Sequence, residues 1–314
     1  MLKQNGYYNP VSVGDYSLNV SKFGDENGEH KIITLAGNQS GSYSVGQRHM
    51  TRILEEDNLV VFIDRAGYGF SDDTKNKMSL EYIVEDYRKA LKSAGIEAPY
   101  VLMPHSIGGA YATYWACTYP EEIEAIVFVD GSQLSSDAFS ERKSHGITFI
   151  DKISVLFSKI GIKRFFIDES RVKYPYTFTS EEQKMGDTLL YLTWDSFAPI
   201  SEDDIIAENA QKAFSNIKLN KIPKLYISSS WGFETREDII KYKTPVKKES
   251  EYRDGEISSK LELYEELRNE ILIPYLNKLG NCKLKNLSGN HLIFLQRPEE
   301  CGKIIKEFIE SLEK

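Results

Sequence analysis

Five short apolar runs restrict what this chain can fold into: Lys31–Leu35, Leu59–Ile63, Tyr100–Met103, Ala125–Val129 and Lys224–Ser228. Each is continuously apolar and rich in branched residues rather than alternating, the pattern of strands covered on both faces in a parallel sheet. Between the first four lie segments of helical length and spacing, Tyr43–Glu55, Leu80–Ser93 and Gly108–Tyr119. Strand-helix-strand order of this kind implies an open α/β sheet with right-handed crossovers. Tyr16–Phe23 alternates weakly and reads as an outer strand. A helix over Leu261–Leu279, a strand over Cys282–Leu287 and a helix over Pro298–Leu312 close the chain.

The rhythm lapses after Asp130. Residues 134–219 hold helical stretches, Phe149–Ile160 and Ile205–Phe214, but no apolar run of strand type. The expected organisation is a core domain of residues 1–133 and 220–314, with residues 134–219 inserted as a helical cap. Thr235–Ser259 is densely charged and reads as a solvated excursion.

Composition removes several classes of function. With 314 residues, 41% hydrophobic and 27% charged, the chain has material for a sizeable core. A net charge of −8 repels phosphate backbones, so no nucleic-acid partner is expected. The three cysteines are far apart and the five histidines scattered, with no CxxC or HExxH spacing, so neither a disulfide framework nor a metal site is expected. No apolar leader and no apolar stretch of spanning length are present, so the expectation is a cytoplasmic protein without a membrane partner.

Chemistry concentrates at Val101–Ala110, VLMPHSIGGA: a strand, a serine, two glycines, then a helix. A serine on such a turn is held with its hydroxyl exposed, and the glycines let strand and helix backbones pass closely. The helix start behind it offers N–H groups and a positive dipole end where an oxyanion would form.

With three further motifs, this segment resembles the α/β-hydrolase superfamily over nearly the whole chain. Leu35-Ala36-Gly37-Asn38 resembles the loop after the third strand, with Ala36 in place of the common His. Asp64–Ser71 resembles the D-x-x-G-x-G-x-S segment. Pro104–Gly108 resembles the nucleophile elbow, with Pro104 in place of its first Gly. Gly289-Asn290-His291 resembles the late histidine loop. The P-H-S-x-G form is similar to bacterial hydrolases related to prolyl aminopeptidase and to haloperoxidase-like esterases. The resemblance implies a mostly parallel central sheet flanked by helices, Ser106 as nucleophile, His291 as general base, and Ile107 and Asn38 N–H groups as the oxyanion hole. It places His105 in packing, and Asp64, Gly67, Gly69 and Ser71 in shaping a loop.

The acid stays open. The usual site, after the strand Lys224–Ser228, reads SSSWGFET and holds no Asp; Glu234 lies further on. The other candidate is Asp130, directly after AIVFV. The expected function is a serine hydrolase of carboxylesterase type, cleaving a small-molecule ester or amide without a cofactor. Two alternatives are an aminopeptidase, using acids such as Glu181-Glu182 or Glu202-Asp203-Asp204 to hold an amine, and a non-catalytic ligand-binding relative. Phe149, Tyr174, Tyr176 and Trp194 are expected either to meet an apolar substrate group or to form the core of the cap.

Overall fold

In a computed structural model, the described residues are 1–38, 43–161, 178–193, 196–242, 253 and 255–312. Eight strands form one sheet: β1 Pro10–Ser12, β2 Ser17–Gly24, β3 Lys31–Leu35, β4 Leu59–Asp64, β5 Tyr100–Ser106, β6 Ile123–Gly131, β7 Lys224–Ser228 and β8 Cys282–Asn286. Their order is β1-β2-β4-β3-β5-β6-β7-β8, antiparallel at β1–β2 and β2–β4 and parallel everywhere else.

The continuous apolar runs are explained by what covers each face. Val61 and Ile63 of β4 and Ile126 and Phe128 of β6 point into one apolar layer; Val60, Phe62, Val127 and Val129 point into the other. The first layer is closed by α2 Leu80–Ser93 and α3 Gly108–Thr118, the second by α1 Tyr43–Thr51 and, at the far end of the chain, α12 Pro298–Ile309. α2 starts at Ser79, whose side chain accepts the Tyr82 amide at 3.3 Å, a cap worth about 1 kcal/mol.

Between β6 and β7 the chain forms α4 Phe149–Lys159, α5 Ser180–Thr193, α6 Phe197–Asp204 and α7 Ile206–Ser215. The last two are not held at a distance: Ala198, Ile206, Ala210 and Ala213 are buried in the same apolar layer as β4 and α3. Phe149 is 75% exposed and so fills no core; Tyr174, Tyr176 and Trp194 lie outside the described residues. After β7 come α8 Arg236–Tyr242, α9 Glu256–Leu267 and α10 Ile273–Leu279, the last two joined by a π-helical turn, Arg268–Leu272. α8 falls within the stretch read as a solvated excursion, yet it buries Ile239. α11 Ile293–Gln296 follows β8. Among the described residues no helix is long and apolar enough to cross a membrane.

Candidate active site

β5 and β6 end side by side, with Ser106 in register with Gly131, so Ser106 and Asp130 emerge at the same edge of the sheet. Both adopt left-handed backbone, φ 52° at Ser106 and 45° at Asp130. Such a conformation costs a non-glycine residue about 1–2 kcal/mol and persists only where surrounding contacts impose it. At Ser106 the contacts are close on every side. Its carbonyl accepts the Ser132 amide at 2.8 Å. A Cβ on Gly108 would lie 2.3 Å from the Leu35 carbonyl oxygen, and one on Gly37 would lie 2.9 Å from the Ser106 Cβ. The turn can close only because both positions are glycine.

His291 stands in the loop after β8, and its Nδ1 lies 2.7 Å from Asp130 Oδ2. The acid is buried and the imidazole about half exposed. Asp130 also accepts the Ser229 and Ser230 amides at Oδ1, at 2.8 and 3.1 Å, and the Ser230 hydroxyl at Oδ2, at 2.6 Å. Burial works against its charge, but the bonds from His291, Ser230 and Ser229 outweigh it and hold the carboxyl below its usual range. An ionised carboxylate only accepts, so Nδ1 carries a proton, and in the neutral imidazole the lone pair is on Nε2. Glu234 is elsewhere: it is exposed, and its Oε1 accepts Asn286 Nδ2 at 2.6 Å.

The histidine loop is anchored through its carbonyl oxygens. Arg297 Nη1 donates to Ser288 at 2.8 Å, the Ser229 hydroxyl to Asn290 at 2.9 Å, and His105 Nε2 to His291 at 2.7 Å. His105 is buried beside two rings, His291 and Phe294, at centroid distances of 4.5 and 5.0 Å. A carbonyl can only accept, so the His105 proton sits on Nε2. Burial and the neighbouring His291 pull its pKa down to about 3, so the ring is neutral. Sequence reasoning assigned His105 to packing and missed this tie, whose partner is 186 residues away.

Behind the nucleophile turn, Arg65 reaches the loop that follows β3. Its Nη1 donates to the Ala36 carbonyl and its Nη2 to the Gly37 carbonyl, both at 2.7 Å. Its countercharge is Glu202 of α6, paired at 3.0 Å, and Glu202 also accepts the Tyr111 hydroxyl at 2.6 Å. Arg65 and Glu202 are 3% and 0% exposed. Removing one partner of so deep a pair leaves an uncompensated charge, a loss of about 3–5 kcal/mol. Asn38 is fastened as well: Tyr68 donates its hydroxyl to Oδ1 at 3.0 Å, and Nδ2 donates to Asp203 Oδ1 at 2.6 Å. Ile107, which precedes α3, is buried. Asp64 braces its own loop, accepting from Asn19 Nδ2 and the Phe70 amide, while Ser71 donates to its carbonyl.

A mostly parallel eight-stranded sheet, helices on both faces, and a serine, a histidine and an acid delivered from strand ends together define the α/β-hydrolase fold. A family model described as the alpha/beta hydrolase fold matches residues 36–147. Among curated relatives, the uncharacterized protein YbdG of Bacillus subtilis (strain 168) is 25% identical over 310 residues, covering 96% of this chain and 85% of its own. Similar solved structures include the haloalkane dehalogenase DatA from Agrobacterium tumefaciens C58, with a TM-score of 0.64 at 15% identity, covering 97% of this chain and 96% of that one. The epoxide hydrolase CorEH has a TM-score of 0.63 at 16% identity, covering 97% and 99%.

Proposed function

We propose that the protein is a serine hydrolase that cleaves a small carboxylic ester through an acyl-enzyme. The observation that carries this reading is the 2.7 Å bond from His291 Nδ1 to a buried, ionised Asp130, at the same sheet edge as Ser106 on its left-handed turn. The bond sets the tautomer in which Nε2 can take a proton. Ser106 attacks the substrate carbonyl as His291 removes its proton, and Asp130 stabilises the imidazolium. The Ile107 and Asn38 N–H groups stabilise the tetrahedral oxyanion. His291 then protonates the leaving group and activates the water that releases the acid. Residues 134–219 act as a cap that sets specificity at the strand C-termini.

Two alternatives receive less support. Haloalkane or epoxide opening, the activity named for the similar solved structures, would join a serine oxygen to carbon as an ether, which water does not cleave under these conditions; an acyl ester on the same oxygen is cleaved. An aminopeptidase needs carboxylates for the substrate amine, but the acids considered for that role already have partners. Glu181 accepts from Asn5, Glu182 from Thr179 and Arg52, Glu202 from Arg65 and Tyr111, Asp203 from Arg142 and Asn38, and Asp204 from Ser144 and His145.

The test combines a fluorophosphonate probe with a substrate panel of p-nitrophenyl esters of rising chain length and aminoacyl p-nitroanilides. A probe adduct on Ser106 with ester turnover above anilide turnover supports the reading. A folded protein that neither takes the probe nor turns over any ester refutes it and leaves a ligand-binding role.

A further inference from the structure

Gly37 and Asn38 share one peptide unit, and that unit is planar, so its C=O and N–H directions are fixed together. Whatever grips the Gly37 oxygen therefore aims the Asn38 N–H. Arg65 Nη2 is 2.7 Å from that oxygen, and Nη1 holds the preceding carbonyl, Ala36, at the same distance. The guanidinium is in turn held by both oxygens of Glu202: Nη2 pairs with Oε1 and Nε donates to Oε2, each at 3.0 Å. Tyr111 fixes the carboxylate from α3.

We propose that Glu202 is a positioning residue for the reaction: through Arg65 it sets the orientation of the Gly37–Asn38 peptide and hence the oxyanion donor. The inference rests on the serine-hydrolase reading and adds to it a residue of the inserted segment. A second contact on the same helix points the same way, because Asp203, the residue after it, accepts from the Asn38 side chain at 2.6 Å. Consecutive acids of α6 thus hold both the backbone and the side chain of the loop. The helix is itself secured at its start, where Asp73 accepts the Phe197 and Ala198 amides at 3.1 and 3.0 Å. A buried pair serving stability alone could be replaced by apolar side chains of similar volume with little loss. This one commits two of its donors to adjacent carbonyls of the loop that touches the nucleophile turn.

The experiment uses the full chain with a p-nitrophenyl ester and a trifluoromethyl ketone, whose hemiketal adduct carries the oxyanion. Three variants are compared: Glu202→Gln, Arg65→Lys, and Arg65→Met combined with Glu202→Met. Arg65→Lys keeps the buried charge opposite Glu202 but offers one ammonium in place of a fork; the double variant removes both charges and so protects the fold. In every variant that folds, kcat falls by about 10²–10³, KM moves by less than about threefold, and ketone affinity weakens in step with kcat. A folded Arg65→Lys or double variant with wild-type kcat and ketone affinity overturns the proposal, as does a loss confined to KM. If the wild-type chain neither reacts with a fluorophosphonate at Ser106 nor hydrolyses the ester, the serine-hydrolase reading falls first and this inference with it. A reactive wild type with unaffected variants removes only the role of Glu202.

Discussion

The Ser229 amide, just past the end of β7, donates to Asp130 Oδ1, at the end of β6, over 2.8 Å. The strand that lacks an acid thus builds the cradle for the acid of its neighbour, and the serines that follow it replace a carboxylate with donors that keep one ionised.

Replacing Ser106 with Ala should lower ester hydrolysis by roughly 10³-fold or more and abolish the probe adduct. Alanine carries the same left-handed penalty, so the melting temperature should stay near wild type. Calorimetry beside the activity assay checks both; a folded Ser106→Ala enzyme with substantial turnover would contradict the assignment.

Asp130→Asn should cost about 10²–10⁴ in kcat, because the amide no longer enforces the tautomer or balances the imidazolium. Glu234→Gln, altering an exposed side chain bonded to Asn286, should leave kcat unchanged. The acid also contributes to stability with a defined sign. Its folded pKa lies below the ordinary 3.8, so the contribution is complete above about pH 4 and is lost as pH falls through the folded value. Denaturant titrations of wild type and Asp130→Asn should therefore converge on acidification.

Gly108→Ala sets two effects against each other. Alanine gains about 1 kcal/mol in helix propensity, but its Cβ would sit 2.3 Å from the Leu35 carbonyl oxygen. Overpacking against backbone costs about 1–3 kcal/mol, so the clash wins. The variant should unfold at lower denaturant concentration and lose activity as the turn shifts; equal or greater stability would show that α3 can move away from β3.

His105 should govern part of the acid sensitivity. Its pKa is about 3 in the fold against 6.5 for an unperturbed imidazole, so the unfolded chain takes up a proton first. Stability from this group is complete above about pH 6.5 and declines toward pH 3, with a slope of at most about 1.4 kcal/mol per pH unit. Asp64, pushed up to about 6 by burial, works in the opposite direction between pH 4 and 6. The measurement is therefore a difference: the stability of wild type minus that of His105→Gln should shrink as pH falls from about 6.5 toward 3. Parallel curves would rule out His105 as the source.

Elements whose signal is local were legible in the sequence. The runs Lys31–Leu35 and Lys224–Ser228 and the helix Leu80–Ser93 coincide with β3, β7 and α2. What was missed depends on distant partners. β5 runs on through Pro104 and His105 to Ser106, beyond the apolar run ending at Met103, because the buried imidazole is satisfied by the His291 carbonyl. α6 carries Pro199 and a polar end, with no local signal strong enough to mark it, and its first amides are capped by Asp73 from the loop after β4. Spacing alone left Asp130 and Glu234 as alternatives for the same reason: the bond to His291 spans 161 residues.

The buried pair of Arg65 and Glu202 joins the stretch following β4 to a helix between β6 and β7, and so it would limit how the segment between those strands can be exchanged. Exchanging whole insertions between relatives is a fast route to new specificity when the insertion only rests on its scaffold. Here an incoming segment must bring a carboxylate to the same depth, or it strands a guanidinium beside two carbonyls. New specificity would then have to accumulate by point changes around a fixed helix, with α6 inherited as part of the scaffold rather than as part of the variable surface.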